Sequence, residues 1–158
     1  MRSCVFQSQT YACIFVRSGG KVNQIEWRAL INRVMTLDMY QSGVPILHDL
    51  NPANFTVSTQ DAIATGRTDV VPTSIARKVA MVCESDIGFG IINVVARFRN
   101  RPMHDTRVFR SFAQAAEWLE RPEFNRGIPE SVSATMNRHI VLQQNPDSTS
   151  IVVLRDDH

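Results

Sequence analysis

Two hydrophobic rhythms alternate along this chain, one of period two and one of period three to four. Residues 4–16 are strand material, divisible into two strands around Gln9-Thr10, and YACIFV (11–16) is apolar on both faces, as a central strand is. Ser18-Gly19-Gly20-Lys21 then reads as a turn. Asn23 followed by Glu26 has capping-box spacing, and Trp27, Leu30, Ile31 and Val34 recur at helical intervals, which predicts a helix over 23–37. PILHDL (45–50), bounded by Pro45 and by Asn51-Pro52, suits a short buried strand. Ser58 with Asp61 opens a second helix through Ala62, Ile63 and Ala64, kept short by Gly66 and Pro72. RKVAMVC (77–83) is the next strand. Ile87, Ile91, Val95 and Phe98 then fall on one face of a helix over 86–99. TRVFR (106–110) is a strand. Ser111 with Gln114 caps a helix striped by Phe112, Ala115, Ala116 and Leu119, and Arg121-Pro122 stops it.

Strands alternating with helices at this spacing predict an α/β fold, with a small mixed sheet of four to five strands flanked by helices. Right-handed crossovers are the default for each step. Residues 1–122 form the expected domain, and 123–158 a C-terminal extension. Within the extension GIPESVSATMNR suggests a short helix, and HIVLQ and SIVVL two strands of a hairpin around Asn145-Pro146-Asp147. Such a hairpin would extend the sheet or pair with a second subunit, so a homodimer is one expectation.

Length sets one domain, or one domain with a tail, and 158 residues bury a sizeable core without staples. A net charge of +2 is too mild to argue for nucleic acid. Three cysteines, Cys4, Cys13 and Cys83, show no CxxC spacing and read as reduced, mostly buried thiols in a cytoplasmic protein. The first sixteen residues lack the apolar core of a signal peptide, and no apolar run is long enough for a membrane span.

Candidate chemistry gathers in a few places. In VCESDIGFG, Gly88-Phe89-Gly90 follows a strand, where glycines can bring backbone N–H groups to a phosphate. A dinucleotide fingerprint needs glycine at position 93, which is Asn93, and a Walker loop needs Gly-Lys-Ser/Thr. A helix start with Ser85 or Asp86 as N-cap is the plainer reading. Cys83, at a strand end facing a helix, has the placement of a nucleophile in sulfur- or phosphate-transfer enzymes. No arginine completes that loop, however, and Glu84 and Asp86 disfavour a thiolate. His48-Asp49 and His104-Asp105 resemble a metal pair by letters alone, because adjacent strand residues point to opposite faces, and no metal is expected. Arg97, Arg99, Arg101, Arg107 and Arg110 would serve a nucleic-acid patch, with Phe98 and Phe109 as stacking partners, or an ordinary solvated face. Trp27 and Trp118 read as core aromatics or subunit contacts before a ligand cage.

Four segments in order, GGKVNQIEWRALINRVM, PILHDLNPANFTVSTQDA, RKVAMVCESDIGFGIINVV and TRVFRSFAQAAEWLE, resemble the SpoIIAA-like group of STAS-related proteins. The likeness spans residues 11–120 and rests on a strand–Asp–Leu element and on the closing Val108, Phe109, Ala116, Trp118 and Leu119, which are mainly packing positions. It implies a small bacterial α/β domain without a cofactor. Related domains act as switchable protein-binding modules, and some bind nucleotides or lipids. The Asp-Ser-Ser-Gly stretch that carries a phosphorylated serine in the sporulation regulators is replaced here by Asp49-Leu50-Asn51-Pro52, with Ser58 the candidate acceptor further on. The expectation is therefore a non-catalytic regulatory or binding module, acting through a protein partner or a small anionic or lipid ligand. A Cys83-dependent enzyme and a weak nucleic-acid binder using the arginines of 97–110 are the alternatives. A ligand is expected at the carboxyl ends of the strands, near Asp49, Asn51, Ser85 and Gly88.

Overall fold

A computed structural model of the chain describes residues 1–67, 75–100, 103–142 and 150–156, with the side chains of 141 and 142 left aside. The elements in order are β1 (Arg2–Ser8), β2 (Cys13–Val22), α1 (Gln24–Met35), α2 (Asp38–Gln41), β3 (Ile46–Asp49), β4 (Ala53–Phe55), α3 (Thr59–Gly66), β5 (Arg77–Val82), α4 (Asp86–Arg99), β6 (His104–Phe109), α5 (Phe112–Leu119), a 3-10 turn (Pro122–Phe124), α6 (Glu130–Leu142) and β7 (Ser150–Arg155). Strand order is β6-β5-β3-β2-β1-β7, with β4 beside the far end of β2. Only the β1–β2 pair is antiparallel among the described ladders; β7 returns parallel to β1. The fold is α/β with a mixed sheet, as the alternating periods predict, and the seven strands among the described residues exceed the expected four to five. No helix among the described residues is long and apolar enough to cross a membrane.

Strand alternation divides the core in two. Val5, Ile14, Val16, Ile46, Val79 and Met81 face α1–α4, while Phe6, Phe15, Leu47, Ala80 and Val82 face α5, the 3-10 turn and α6. Each helix start that the sequence marks has its expected N-cap, though the reciprocal capping box forms only at Ser58 and Asp61. Asn23, Ser58, Ser85 and Ser111 accept from the N–H groups of Glu26, Asp61, Gly88 and Gln114, satisfying donors that a helix leaves without partners. The three cysteines are free and buried, and burial pushes the Cys4 and Cys13 thiols up to about 11 and about 12.

Three local expectations are corrected. Ser18-Gly19-Gly20-Lys21 is no turn: β2 runs through it, pairing Gly19 with Arg2 and Gly20 with Ala53. Gly20, at φ +73, is where β2 bends away from β1 to take up β4, a strand whose three residues are too few to show a period. The inner face of α4 is turned by about one position. Gly88, Ile92, Val95, Ala96 and Arg99 are buried, and Ile87 is 72% exposed. Consecutive isoleucines at 91 and 92 allow either phase, and the close approach at Gly88 selects this one.

The third correction concerns the tail. HIVLQ is not the first strand of a hairpin, because residues 139–142 continue α6. Val132, Met136 and Ile140, at i, i+4 and i+8, pack on the second core cluster, and that tertiary contact overrides the β-branched run. The Asn145-Pro146-Asp147 turn and Pro72 lie outside the described residues. SIVVL is a strand as expected, but its partner is β1 rather than a hairpin mate.

Candidate functional site

The strand-end residues expected to bind a ligand are brought close in sequence order and then tied to the protein itself. Asp49 ends β3 on the α6 side, where its Oδ2 accepts from Arg17 Nε at 2.9 Å and its Oδ1 from the Asn51 N–H at 3.1 Å. Arg17 Nη1 donates in turn to Ser133 Oγ at 2.9 Å and Asn137 Oδ1 at 2.8 Å. The carboxylate thus joins β2 and β3 to α6. Asn51 Oδ1 accepts from the Glu84 N–H at 2.9 Å, stitching the loop after β3 to the loop after β5. Ser85 caps α4, with its Oγ 3.2 Å from the Gly88 nitrogen. Among the described residues the Asn51–Glu84 bond is what links Asp49 and Asn51 to the loop of Ser85 and Gly88.

Glycine at 88 answers to packing. A Cβ there would lie 2.5 Å from Cys83 Sγ, 2.7 Å from Ser85 Oγ and 3.1 Å from Phe55, whereas one at Gly90 would meet open space. The Gly-Phe-Gly loop therefore lets a helix start sit directly on Cys83. That thiol is 1% exposed, with Ser85 Oγ at 3.6 Å. Ser58 is exposed in a capping box with Asp61.

Among the described residues, the arginines of the arginine-rich stretch have separate surroundings. Arg97 is exposed on α4, Arg99 is interior, and Arg101 lies outside the described residues. Arg107 pairs with Asp105 at 3.2 Å and lies over Trp118, while Arg110 pairs with Asp86 at 2.6 Å and lies over Phe89. Phe109 stacks on Trp118 with ring centroids 5.5 Å apart, and Trp27 is a fully buried core residue against Phe55.

A further candidate site lies inside. A cavity of about 40 Å³ opens between α1, α2 and α4 and the floor of the sheet. At ~10–15 Å³ for each water-sized occupant, it holds about three. Trp27, Leu30, Ile31 and Val34 of α1 make an apolar wall, and His48, Arg99 and His104 bring polar groups to the other side. His48 Nε2 is 2.9 Å from Ser18 Oγ, which is 2.9 Å from Ser3 Oγ, giving a buried chain of hydrogen bonds that runs across three strands. Burial pushes the His48 imidazole down to about 3, so the ring is neutral at pH 7 and its lone pair is available to an O–H donor.

Beside the cavity, Arg77 opens β5 in phase with Val79 and Met81, so its side chain lies on the same face as the first core cluster. Its guanidinium lies 3.4 Å from the centroid of the Tyr40 ring and Nη2 donates to the Tyr40 carbonyl. Burial lowers the pKa of Arg77 from the ordinary arginine value, with Tyr40 opposing. Sequence reading overlooked Tyr40, Arg77, Arg99 and His104 as a group, and the signal it had was phase: a cation at a core position of a strand or helix stripe.

Neither a family model, nor a curated protein, nor a solved structure matches the chain, so its relationship rests on the residues themselves.

Proposed function

We propose that this chain is a non-catalytic binding module of the SpoIIAA-like, STAS-related kind, whose ligand is a small acid with an apolar body. The cavity under α1 carries that reading. Its apolar wall suits a hydrocarbon group, and imidazole and guanidinium groups nearby suit an oxygen-bearing head. The test is a thermal-shift screen against nucleotides, phosphorylated metabolites, fatty acids of graded length and phospholipids. An acid at a hundred times its dissociation constant adds about 2.7 kcal/mol of stability. Filling the cavity with Val34→Phe is expected to abolish that gain. A panel without a hit would refute the ligand reading and favour a protein partner, and a hit indifferent to Val34→Phe would remove the cavity as the binding site.

A homodimer would use the outer edge of β7, where Ile151, Val152, Val153 and Leu154 are half-buried and uncharged. Sedimentation should then show a dimer that Val152→Lys converts to monomer, and a wild-type protein that stays monomeric at every concentration tested rules the pairing out. Unpaired thiols suit the reducing cytoplasm of a bacterium. Recovery of the native protein in disulfide form would argue against that setting.

A further inference from the structure

The interior cavity has a neighbour outside. A cleft of about 510 Å³ lies at the amino ends of β3, β5 and β6, and His104 lines both spaces. Tyr40 lines the cavity and Arg77 the cleft, so the stacked pair forms part of the wall between them. Arg77 is 3% exposed, yet its Nε and Nη1 have no hydrogen-bond acceptor among the described residues. The Tyr40 hydroxyl, at the same wall, is likewise buried and has no partner in good hydrogen-bond geometry among the described residues, although it lies close enough to Arg77 to oppose the lowering of that group's pKa.

The acids of the cleft are engaged elsewhere. Asp105 pairs with Arg107 at 3.2 Å, and Glu120, 87% exposed, lies 3.9 Å from Lys78. Two other cations of the cleft are also committed: Lys78 donates to the Trp118 carbonyl at 3.0 Å, and Arg121 pairs with Glu123 at 2.6 Å. Arg77 alone among these cations is both buried and short of acceptors. A guanidinium carries five donors and stays charged, so burying it with unmet donors is costly unless an anion completes it.

From this geometry we infer that Arg77 is the anchor for the head of a short-chain carboxylate, which reaches the cavity from the cleft at the amino ends of the strands, past Tyr40 and His104. The inference rests on the ligand reading above and adds the head group, its partner and the direction of approach. The carboxylate accepts from Arg77 and the Tyr40 hydroxyl, and the chain passes into the space against α1. Binding parts the Arg77–Tyr40 stack. The direction is opposite to the carboxyl-end crevice usual for open α/β sheets, where the Asn51–Glu84 and Asp49–Arg17 bonds tie the loops to their neighbours.

Hexanoate is the probe, with 1-hexanol and inorganic phosphate as controls. Hexanoate should raise the Tm of the wild-type protein, 1-hexanol much less, and phosphate not at all. Arg77→Met should melt about 2–4 °C higher than wild type without additive, since a buried charge short of partners is removed, and should bind hexanoate at least tenfold more weakly. A purely structural arginine predicts the reverse, a lower Tm without additive, and that result overturns the assignment. Should Arg77→Met fail to fold, the Arg77 Nε–H resonance of the unmodified protein decides. It must shift on saturation with hexanoate and stay in place with 1-hexanol, and an unmoved resonance sinks the anchor. Equal hexanoate binding by wild type and Arg77→Met removes Arg77 while leaving the ligand reading intact. Absence of hexanoate binding to wild type overturns the anchor, and absence of any hit in the full screen overturns the ligand reading with it.

Discussion

Asp49→Ala is expected to destabilise the protein by about 3 kcal/mol, the lower part of the range for breaking a buried ion pair from one side. Its side chain is 7% exposed and that of Arg17 14%, so water does little to screen or replace the pair. Alanine would leave the Arg17 guanidinium with only Ser133 and Asn137, and the Asn51 N–H without its acceptor. The loss should be concentrated where α6 meets the sheet, so hydrogen exchange of α6 amides should quicken before that of β3. Arg17→Met combined with Asp49→Ala should recover most of the stability, because an apolar pair of similar volume removes both desolvated charges. Urea melts of the three variants read this directly. A loss under about 1 kcal/mol for Asp49→Ala would mean that the pair behaves like an exposed one. The same experiment guards the ligand screen: a hit weakened by Asp49→Ala would report a looser fold before it reported a lost contact.

Acid should weaken this fold through His48 from a higher pH than carboxylates alone would bring about. Its folded pKa of about 3 lies below the ordinary 6.5. Between those two values the unfolded chain carries a proton that the folded chain does not, so unfolding takes up a proton and stability falls as pH falls. The loss begins near pH 6.5, grows by about 1.4 kcal/mol per pH unit, and amounts to about 2 kcal/mol at pH 5. Above pH 6.5 both states are neutral and the contribution is flat. His48→Gln keeps a hydrogen-bonding group near Ser18 and cannot titrate, so the stability gap between it and wild type should change by that amount between pH 7.5 and pH 5. Denaturant midpoints at the two pH values provide the comparison. Parallel profiles for the two proteins would show that His48 is not the titrating group.

Much of the architecture could be read in advance because it follows from local chemistry. Four caps, at Asn23, Ser58, Ser85 and Ser111, are set by a side-chain oxygen three residues ahead of a free N–H, which is a property of a tetrapeptide. The apolar runs at 13–16, 46–50 and 79–83 are buried on both faces because central strands with helices on either side have no wet face, while Tyr11 and Ala12 fall in the turn before β2. What went astray lies where two local answers are nearly equal in energy. Gly19-Gly20 serves a turn or a bent strand, Ile91-Ile92 allows two helix phases, and Ile140-Val141-Leu142 suits a strand or a helix. In each case a distant partner settles it: Pro52 and Ala53 beside the glycines, Cys83 and Phe55 beneath Gly88, and the second core cluster beneath Ile140.

The candidate sites divide along the same line. Asp49, Asn51, Ser85 and Gly88 stand where strand-end reasoning put them, but their hydrogen bonds and contacts go to Arg17, Glu84, the α4 cap and Cys83. Those partners come from elements as far away as α6, and no spacing rule reaches them. The sequence by itself determined the alternation of strands and helices, the helix starts and the burial of the central strands, since each depends on neighbours within about one turn or one strand. Only the tertiary structure decided that Tyr40, Arg77, Arg99 and His104 meet around the cavity and its outer cleft. They come from α2, β5, α4 and β6, and lateral strand order, which depends on long-range pairing, is what brings those elements together.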